Sequence, residues 1–202
     1  MTLNQWQKLM QSCEFTDNTE TYNALLVAYT HKTRHYHSSK HIDACLHHLD
    51  KVRYLTLYPS EVELALWFHD AIYVARKSNN ELESANWAKA FLVKNSAESE
   101  VIERVFNLVM ATLHCAPTRT LDESLLVDID LSILGSAEEI YNAFETAIRL
   151  EYKWVPYFLY KRKRIELLQG FLNRERIYTH NYFYDALEVQ ARMNIKRSIA
   201  ML

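Results

Sequence analysis

Apolar residues recur at helical spacing along most of the chain. Because an α-helix has about 3.6 residues per turn, side chains three or four residues apart share one face. Two such faces are formed by Leu46, Leu49, Val52 and Leu57, and by Val101, Val105, Leu108 and Val109. The pattern predicts helices over residues 3–13, 18–32, 39–57, 60–75, 80–95, 97–114, 122–134, 136–153, 156–174 and 183–200.

Polar and small residues at the borders of these segments predict where the helices begin and end. Ser60 with Glu63, and Ser136 with Glu139, have the spacing of a capping box. Asn79 or Asn80 and Asp122 are predicted to cap the N-termini of the helices that follow them, and Gly135 to cap the C-terminus of the helix before it.

Composition supports an all-helical fold. The 202 residues include only two glycines and three prolines, and a β-rich protein needs more turn formers. With 49% hydrophobic residues, the chain can bury a sizeable core, and its length predicts one domain over residues 1–202. The net charge of −2 argues against a nucleic-acid scaffold.

Localisation is predicted from what the sequence lacks. No apolar run has the length of a membrane span, and the N-terminus has no signal-peptide pattern. The three cysteines Cys13, Cys45 and Cys115 lie far apart without CxxC spacing, which is typical of free thiols in a reducing compartment. We therefore expect a cytoplasmic protein without a membrane partner.

Two polar residues interrupt the apolar run "LALWFHDAIYVA" at residues 64–75, namely His69 and Asp70. Burial of a polar group without a partner costs about 1–3 kcal/mol, so both side chains need partners. Two other apolar segments also carry polar residues on or near their inner face. His41 precedes Cys45 and Leu46 at core spacing, and Asp130 lies in "LLVDIDLSILG".

Several buried polar residues on different helices are most cheaply satisfied by one another or by a shared cation. Two imidazoles and two carboxylates suit a borderline divalent metal ion, and such a set leaves coordination positions open for water. Manganese, magnesium, cobalt, nickel, iron and zinc are all candidates. His37 lies four residues before His41, so both are expected on one face of a helical turn. Asp128 is the alternative to Asp130, because carboxylates two residues apart on a helix face different directions.

The ordered pattern His…His-Asp…Asp resembles the HD superfamily of metal-dependent phosphohydrolases. "YHSSKHIDA" is similar to the YHNxxHAxD signature of cyclic-nucleotide phosphodiesterases, which belong to the same wider helical group. A closer resemblance, over about residues 20–195, is to a bacterial family of predicted HD phosphohydrolases. It is carried by "YHSSKHI", "LALWFHDAIY", "NNELESA", "DIDLSILG", "IRLEY" and "FLNRERIY".

The resemblance implies an HD-type helical core with additional N- and C-terminal helices, and a metal held by His41, His69, Asp70 and Asp130. His37 matches the histidine that protonates the leaving group in the phosphodiesterases. The implied reaction is hydrolysis of a phosphomonoester or phosphodiester, with nucleotides among the candidate substrates. Ser38 and Lys40 depart from the phosphodiesterase signature, and no further histidine follows His-Asp, so cyclic-nucleotide specificity does not carry over.

Catalysis of this kind combines a metal-activated water, which Asp70 would orient or deprotonate, with a proton donor, His37. Candidate cations for neutralising phosphate charge are Arg34, Lys40, Arg149 and Lys153. His114 is either a histidine at a helix end or a ligand of a second metal or of phosphate. Glu81 is either a first-turn glutamate favoured by the helix N-terminus, a hydrogen-bond partner of a metal-binding histidine, or a base that orients water. Two rival functions are a non-catalytic metal- or nucleotide-binding sensor and a di-iron HD-type oxygenase. Homo-oligomerisation is left open.

Overall fold

The computed structural model describes residues 1–202 and consists of ten α-helices and two short 3₁₀ segments, without a strand. The all-α prediction is confirmed, and each predicted helix overlaps an observed one. The helices are α1 (Leu3–Ser12), α2 (Thr19–Tyr29), α3 (Ser39–Val52), α4 (Pro59–Phe68), α5 (Asn80–Lys94), α6 (Ser99–Ala111), α7 (Leu121–Asp130), α8 (Glu138–Glu151), α9 (Tyr157–Leu172) and α10 (Asn181–Met201); the 3₁₀ segments are Arg53–Leu55 and Leu131–Gly135.

The chain divides into two compact units, Met1–Val127 and Asp128–Leu202. The first unit holds α1 to α6 and most of α7, and the second holds the end of α7, the second 3₁₀ segment and α8 to α10. That all 202 residues form one domain stays a prediction. No helix is both long enough and apolar enough to cross a bilayer.

Helix α4 is the centre of the first unit. It packs against α1, α3, α5 and α6, and it is buried on all sides, as expected for a helix that is apolar around its whole circumference. Trp67 meets Trp6 of α1 edge to face with ring centroids 5.3 Å apart, and both side chains are fully buried. This packing fixes the C-terminal end of α4, from which His69 and Asp70 follow directly.

The predicted helix 60–75 is too long, because α4 ends at Phe68. The turn after it is held by two side chains of α5. Ser84 accepts a hydrogen bond from the backbone N–H of Ile72 at 3.0 Å, and Asn80 accepts one from the N–H of Val74 at 3.0 Å. Backbone groups that would continue the helix are therefore satisfied elsewhere. This accounts for the asparagine and serine of "NNELESA".

Both predicted capping boxes are wrong. Helix α4 begins at Pro59, and proline suits the first turn of a helix because an N–H group there has no partner within the helix. Glu63 does not cap the helix but accepts a hydrogen bond from Arg53 at 2.6 Å. Helix α8 begins at Glu138, while the Ser136 hydroxyl donates to the carbonyl of Ile133. Asn79 does occupy the position before α5, but its side chain makes no capping hydrogen bond.

Asp122 caps a helix other than the one predicted. The hydroxyl of Thr120 accepts the hydrogen bond from the N–H of Glu123 at the start of α7. The carboxylate of Asp122 accepts from the N–H groups of Leu57 and Tyr58, at 2.8 and 2.9 Å, just before α4. The aspartate therefore serves the exposed N–H groups of a distant helix N-terminus, which sequence proximity alone does not indicate.

Helix α10 packs closely on the 3₁₀ segment in the second unit. A Cβ atom at Gly135 would lie 2.5 Å from the Cβ of Leu187, and the backbone at this glycine is not left-handed. Gly135 therefore serves close packing rather than the predicted helix C-cap. In the same unit, the carboxylate of Asp128 accepts hydrogen bonds from the N–H groups of Thr179 and His180 at 2.9 and 2.7 Å, just before α10.

Candidate metal centre

Two buried imidazoles face each other at the centre of the first unit. His41 lies in the first turn of α3, and His69 is the residue after α4. Both side chains are buried, with 6% and 1% of their surface exposed. Their Nε2 atoms lie 3.1 Å apart.

Asp70 completes a triangle of potential ligand atoms. Its Oδ2 lies 3.2 Å from Nε2 of His69 and 3.5 Å from Nε2 of His41. Ligands about 2.0–2.1 Å from one ion lie about 2.8–3.0 Å apart at right angles and about 3.3–3.4 Å apart at tetrahedral angles. The three atoms therefore have the spacing of neighbouring ligands around a single cation.

The hydrogen-bond partners of His69 support this interpretation. Its Nδ1 lies 2.8 Å from the carbonyl oxygen of Leu66, to which only a protonated ring nitrogen can donate. In the neutral imidazole, Nε2 then carries a lone pair and faces the Asp70 carboxylate, so two acceptors meet at 3.2 Å. A proton or a metal ion is needed between them. A histidine that binds a metal through one ring nitrogen also usually donates a hydrogen bond from its other ring nitrogen, for example to a carbonyl.

The charge state of Asp70 fits a ligand. Burial raises the pKa of this carboxyl group, but the imidazoles of His69, His37 and His41, the first of which also hydrogen-bonds it, outweigh burial and hold the pKa below its ordinary value. Asp70 is therefore a carboxylate at neutral pH and is available to a cation.

Cys45 adds a potential ligand atom. The ligand atoms of His41, Cys45 and His69 all lie within 4.8 Å of one another, and this set is compatible with metal binding. Asp130, the fourth ligand that the resemblance implies, is the last residue of α7. From the sequence, Cys45 is predicted only as a core residue. Its signal was the spacing, since it follows His41 by four residues on the buried face of α3.

His37 lies near this cluster but not on a helical turn. Helix α3 begins at Ser39, so the prediction that His37 and His41 share a helical face is wrong. The His37 ring nevertheless lies 6.3 Å from the His41 ring, measured between centroids. It stacks on the ring of Tyr73, with 4.0 Å between centroids and 23° between planes.

Arg34 joins the backbone of the two segments that carry these residues. Its Nη1 donates to the carbonyl of His37 at 3.2 Å and to that of Asp70 at 2.6 Å, and its Nη2 donates to that of Ala71 at 2.8 Å. The guanidinium also lies 5.1 Å from the ring centroid of Tyr29. Arg34 is one of the candidate cations for phosphate in the sequence, and in the structure these contacts make it a clamp on the backbone.

We expect Arg34→Gln to weaken metal binding about 10- to 100-fold, the usual range for loss of a group that orients ligands. Glutamine cannot reach three carbonyls, so Asp70 and His37 lose their common anchor. The measurement is the dissociation constant for Co²⁺ by competition with a chromophoric chelator.

Arg149→Gln is the matched control for this experiment. Arg149 also donates to two carbonyls, of Tyr152 at 2.5 Å and of Val155 at 3.2 Å, and lies 4.7 Å from a tyrosine ring, at Tyr160. The control should lose comparable stability and keep the affinity for Co²⁺. Equal affinities in Arg34→Gln and the wild type would contradict the clamp.

The other predicted site residues lie in varied settings. Lys40 and Lys153 are exposed, and Glu81 is half-buried in the first turn of α5, where the helix N-terminus favours a negative charge. His114 follows α6 by three residues with a left-handed backbone, at a φ of 54°. Burial raises the pKa of Asp128 to about 6, although both of its backbone partners favour the charged form.

No protein-family model, curated protein or solved structure matches this chain. The resemblance to the HD superfamily therefore stays a prediction from the motifs, and the centre is interpreted from its own geometry.

Proposed function

We propose that the chain is a divalent-metal-dependent phosphohydrolase that acts on a small phosphomonoester or phosphodiester, with nucleotides as the first class to test. The observation that carries the proposal is the triangle of His41 Nε2, His69 Nε2 and Asp70 Oδ2, with edges of 3.1, 3.2 and 3.5 Å. Two neutral nitrogens and one carboxylate leave a divalent ion with net positive charge, which phosphate ester hydrolysis requires.

A bound ion would supply Lewis-acid activation of the phosphoryl group and a water of lowered pKa. Asp70 has two carboxylate oxygens, so it can hold the ion with Oδ2 and orient or deprotonate a water with Oδ1. The anchoring of its carbonyl by Arg34 at 2.6 Å keeps the residue in place for both tasks. His41 and His69 are held by their buried surroundings and serve as ligands.

His37 is the proposed proton donor to the leaving oxygen. Imidazole can accept and release a proton near neutral pH. Stacking on Tyr73 limits the rotation of the His37 ring, and the carbonyl of His37 is bound by Arg34 at 3.2 Å. The ring is thus close to the cluster without belonging to the triangle, which fits a proton donor better than a ligand.

The direct test is a metal-by-substrate screen on metal-stripped protein. Mn²⁺, Mg²⁺, Co²⁺, Ni²⁺, Fe²⁺ and Zn²⁺ are each combined with p-nitrophenyl phosphate, bis-p-nitrophenyl phosphate and a panel of nucleotides. We expect metal-dependent release of phosphate or alcohol with at least one pair. Tight nucleotide binding without turnover would instead favour a sensor, and two bound irons with oxygen consumption would favour the di-iron oxygenase.

His37→Ala tests the proton donor separately from the metal. We expect the variant to bind the metal like the wild type, while kcat falls about 100- to 10,000-fold, the usual contribution of general acid catalysis. His47→Ala, an exposed histidine on α3, is the control and should keep kcat. If His37→Ala loses the metal, His37 is a ligand and the proton donor lies elsewhere.

A further inference from the structure

We infer that the corner between α8 and α9 binds an anionic lipid surface peripherally. This corner surface consists of six exposed residues from one short segment of the second unit: Lys153, Trp154, Tyr157, Phe158, Lys161 and Arg162. The inference does not depend on the proposed metal centre, which lies in the first unit. From the sequence no membrane partner is expected, because no segment spans a bilayer, but peripheral binding needs no spanning segment.

The first argument is the exposure of three large aromatic side chains within five residues of the chain. Trp154, Tyr157 and Phe158 keep 46%, 54% and 70% of their surface exposed. Single exposed apolar residues are normal on a protein surface, whereas a group of large ones marks a site of interaction. Tryptophan and tyrosine are also the residues that prefer the boundary between headgroups and hydrocarbon.

The connector that carries Trp154 is held by backbone contacts. Arg149 donates to the carbonyls of Tyr152 and Val155, at 2.5 and 3.2 Å, so the residues on both sides of Trp154 are anchored. The N–H of Val155 also donates to the carbonyl of Tyr152 at 2.9 Å. A connector that is already ordered loses little conformational entropy when it meets a partner.

The second argument is the charge of this segment. Residues 152–163 include four lysines and arginines and no aspartate or glutamate, although the whole chain has a net charge of −2. The next carboxylate along α9 belongs to Glu166, and Lys163 binds it at 2.8 Å. The segment therefore presents a local excess of positive charge, which an anionic surface attracts.

The aromatic and the cationic side chains share one part of α9. Lys161 and Arg162 follow Phe158 by three and four residues, so they lie on the same side of the helix as its ring. Lys153 adds a further exposed cation on the other side of Trp154. Apolar side chains that enter the lipid, next to cations that stay at the headgroups, are typical of proteins that lie on a membrane.

Other partners fit this surface less well. Two copies paired through it would bring the same cations together, and like charges across an interface disfavour binding. Single-stranded nucleic acid is usually bound in a positively charged groove, whereas Phe158 protrudes from the start of a helix. An anionic lipid surface matches both the charge and the protruding aromatic side chains.

Co-sedimentation with vesicles tests the inference. The protein is mixed with vesicles of phosphatidylcholine alone or with about one quarter phosphatidylglycerol. We expect binding only to the anionic vesicles and weaker binding at high salt, which screens exposed charges. Phe158→Ser should weaken binding about tenfold or more, because the phenyl ring no longer enters the lipid. Lys161→Gln combined with Arg162→Gln should weaken it about 10- to 30-fold, or about fivefold for each cation.

Matched controls change the same kinds of side chain elsewhere. Tyr54→Ser removes an aromatic side chain that is 75% exposed on the first unit, and Lys89→Gln combined with Lys196→Gln removes two exposed cations. Both controls should bind anionic vesicles like the wild type. Absence of binding to these vesicles, or equal binding by corner variants and controls, overturns the inference. Self-association or RNA binding that Phe158→Ser abolishes, without vesicle binding, would assign the surface to a second copy or to nucleic acid.

Discussion

Replacing Asp70 by alanine is expected to abolish metal binding and any phosphohydrolase activity together. Oδ2 of Asp70 is the charged corner of the triangle, 3.2 and 3.5 Å from the two imidazole nitrogens. Without it, the two neutral imidazole nitrogens are the only corners of the triangle that remain for the ion. We expect the dissociation constant for Co²⁺ or Zn²⁺ to rise at least about 100-fold. This exceeds the 10- to 100-fold change that is usual when a residue that only orients a metal ligand is lost.

Metal content after dialysis and thermal melting both measure this change. A ligand at about 100 times its dissociation constant stabilises the folded state by about 2.7 kcal/mol, so the wild type should melt higher with metal than without it. Asp70→Ala should show no such gain. Asp50→Ala, which removes an exposed carboxylate from α3, should show the full gain. Unchanged metal content in Asp70→Ala would remove Asp70 from the ligand set.

The fold class could be predicted because the signal is distributed over the whole chain. Apolar residues at helical spacing over many positions, together with the scarcity of glycine and proline, indicate helices. Helix ends depend on single hydrogen bonds, and there the prediction was weaker. Ser60 has the right spacing for a cap, but Pro59 begins the helix and Arg53 binds Glu63. Such competition between partners is decided by tertiary packing.

The core of the site could be predicted from burial alone. His41, His69 and Asp70 interrupt apolar runs, and polar groups in such runs need partners. Arg34 could not be assigned in the same way. Arginine gives no sign in sequence of whether its donors will meet a substrate or three backbone carbonyls.

The two glycines of the chain give opposite predictions for the same substitution. Gly135→Ala places a methyl group 2.5 Å from the Cβ of Leu187 and 2.8 Å from its carbonyl oxygen, so the backbone of α10 must move. We expect a loss of about 1–3 kcal/mol or more, the usual cost of overpacking. At about 2–4 °C per kcal/mol for a chain of this size, thermal melting by circular dichroism resolves the change.

Gly170→Ala is the matched control, because nothing lies within 4 Å of a Cβ at this exposed position inside α9. Alanine is favoured over glycine in a helix interior by about 0.5–1 kcal/mol, so this variant should melt slightly above the wild type. Equal melting of Gly135→Ala and the wild type would mean that α10 does not approach the 3₁₀ segment so closely. Destabilisation by Gly170→Ala would show that this face of α9 is covered. Opposite shifts in the two variants are therefore required, since close packing acts only at Gly135 and helix propensity favours alanine at Gly170.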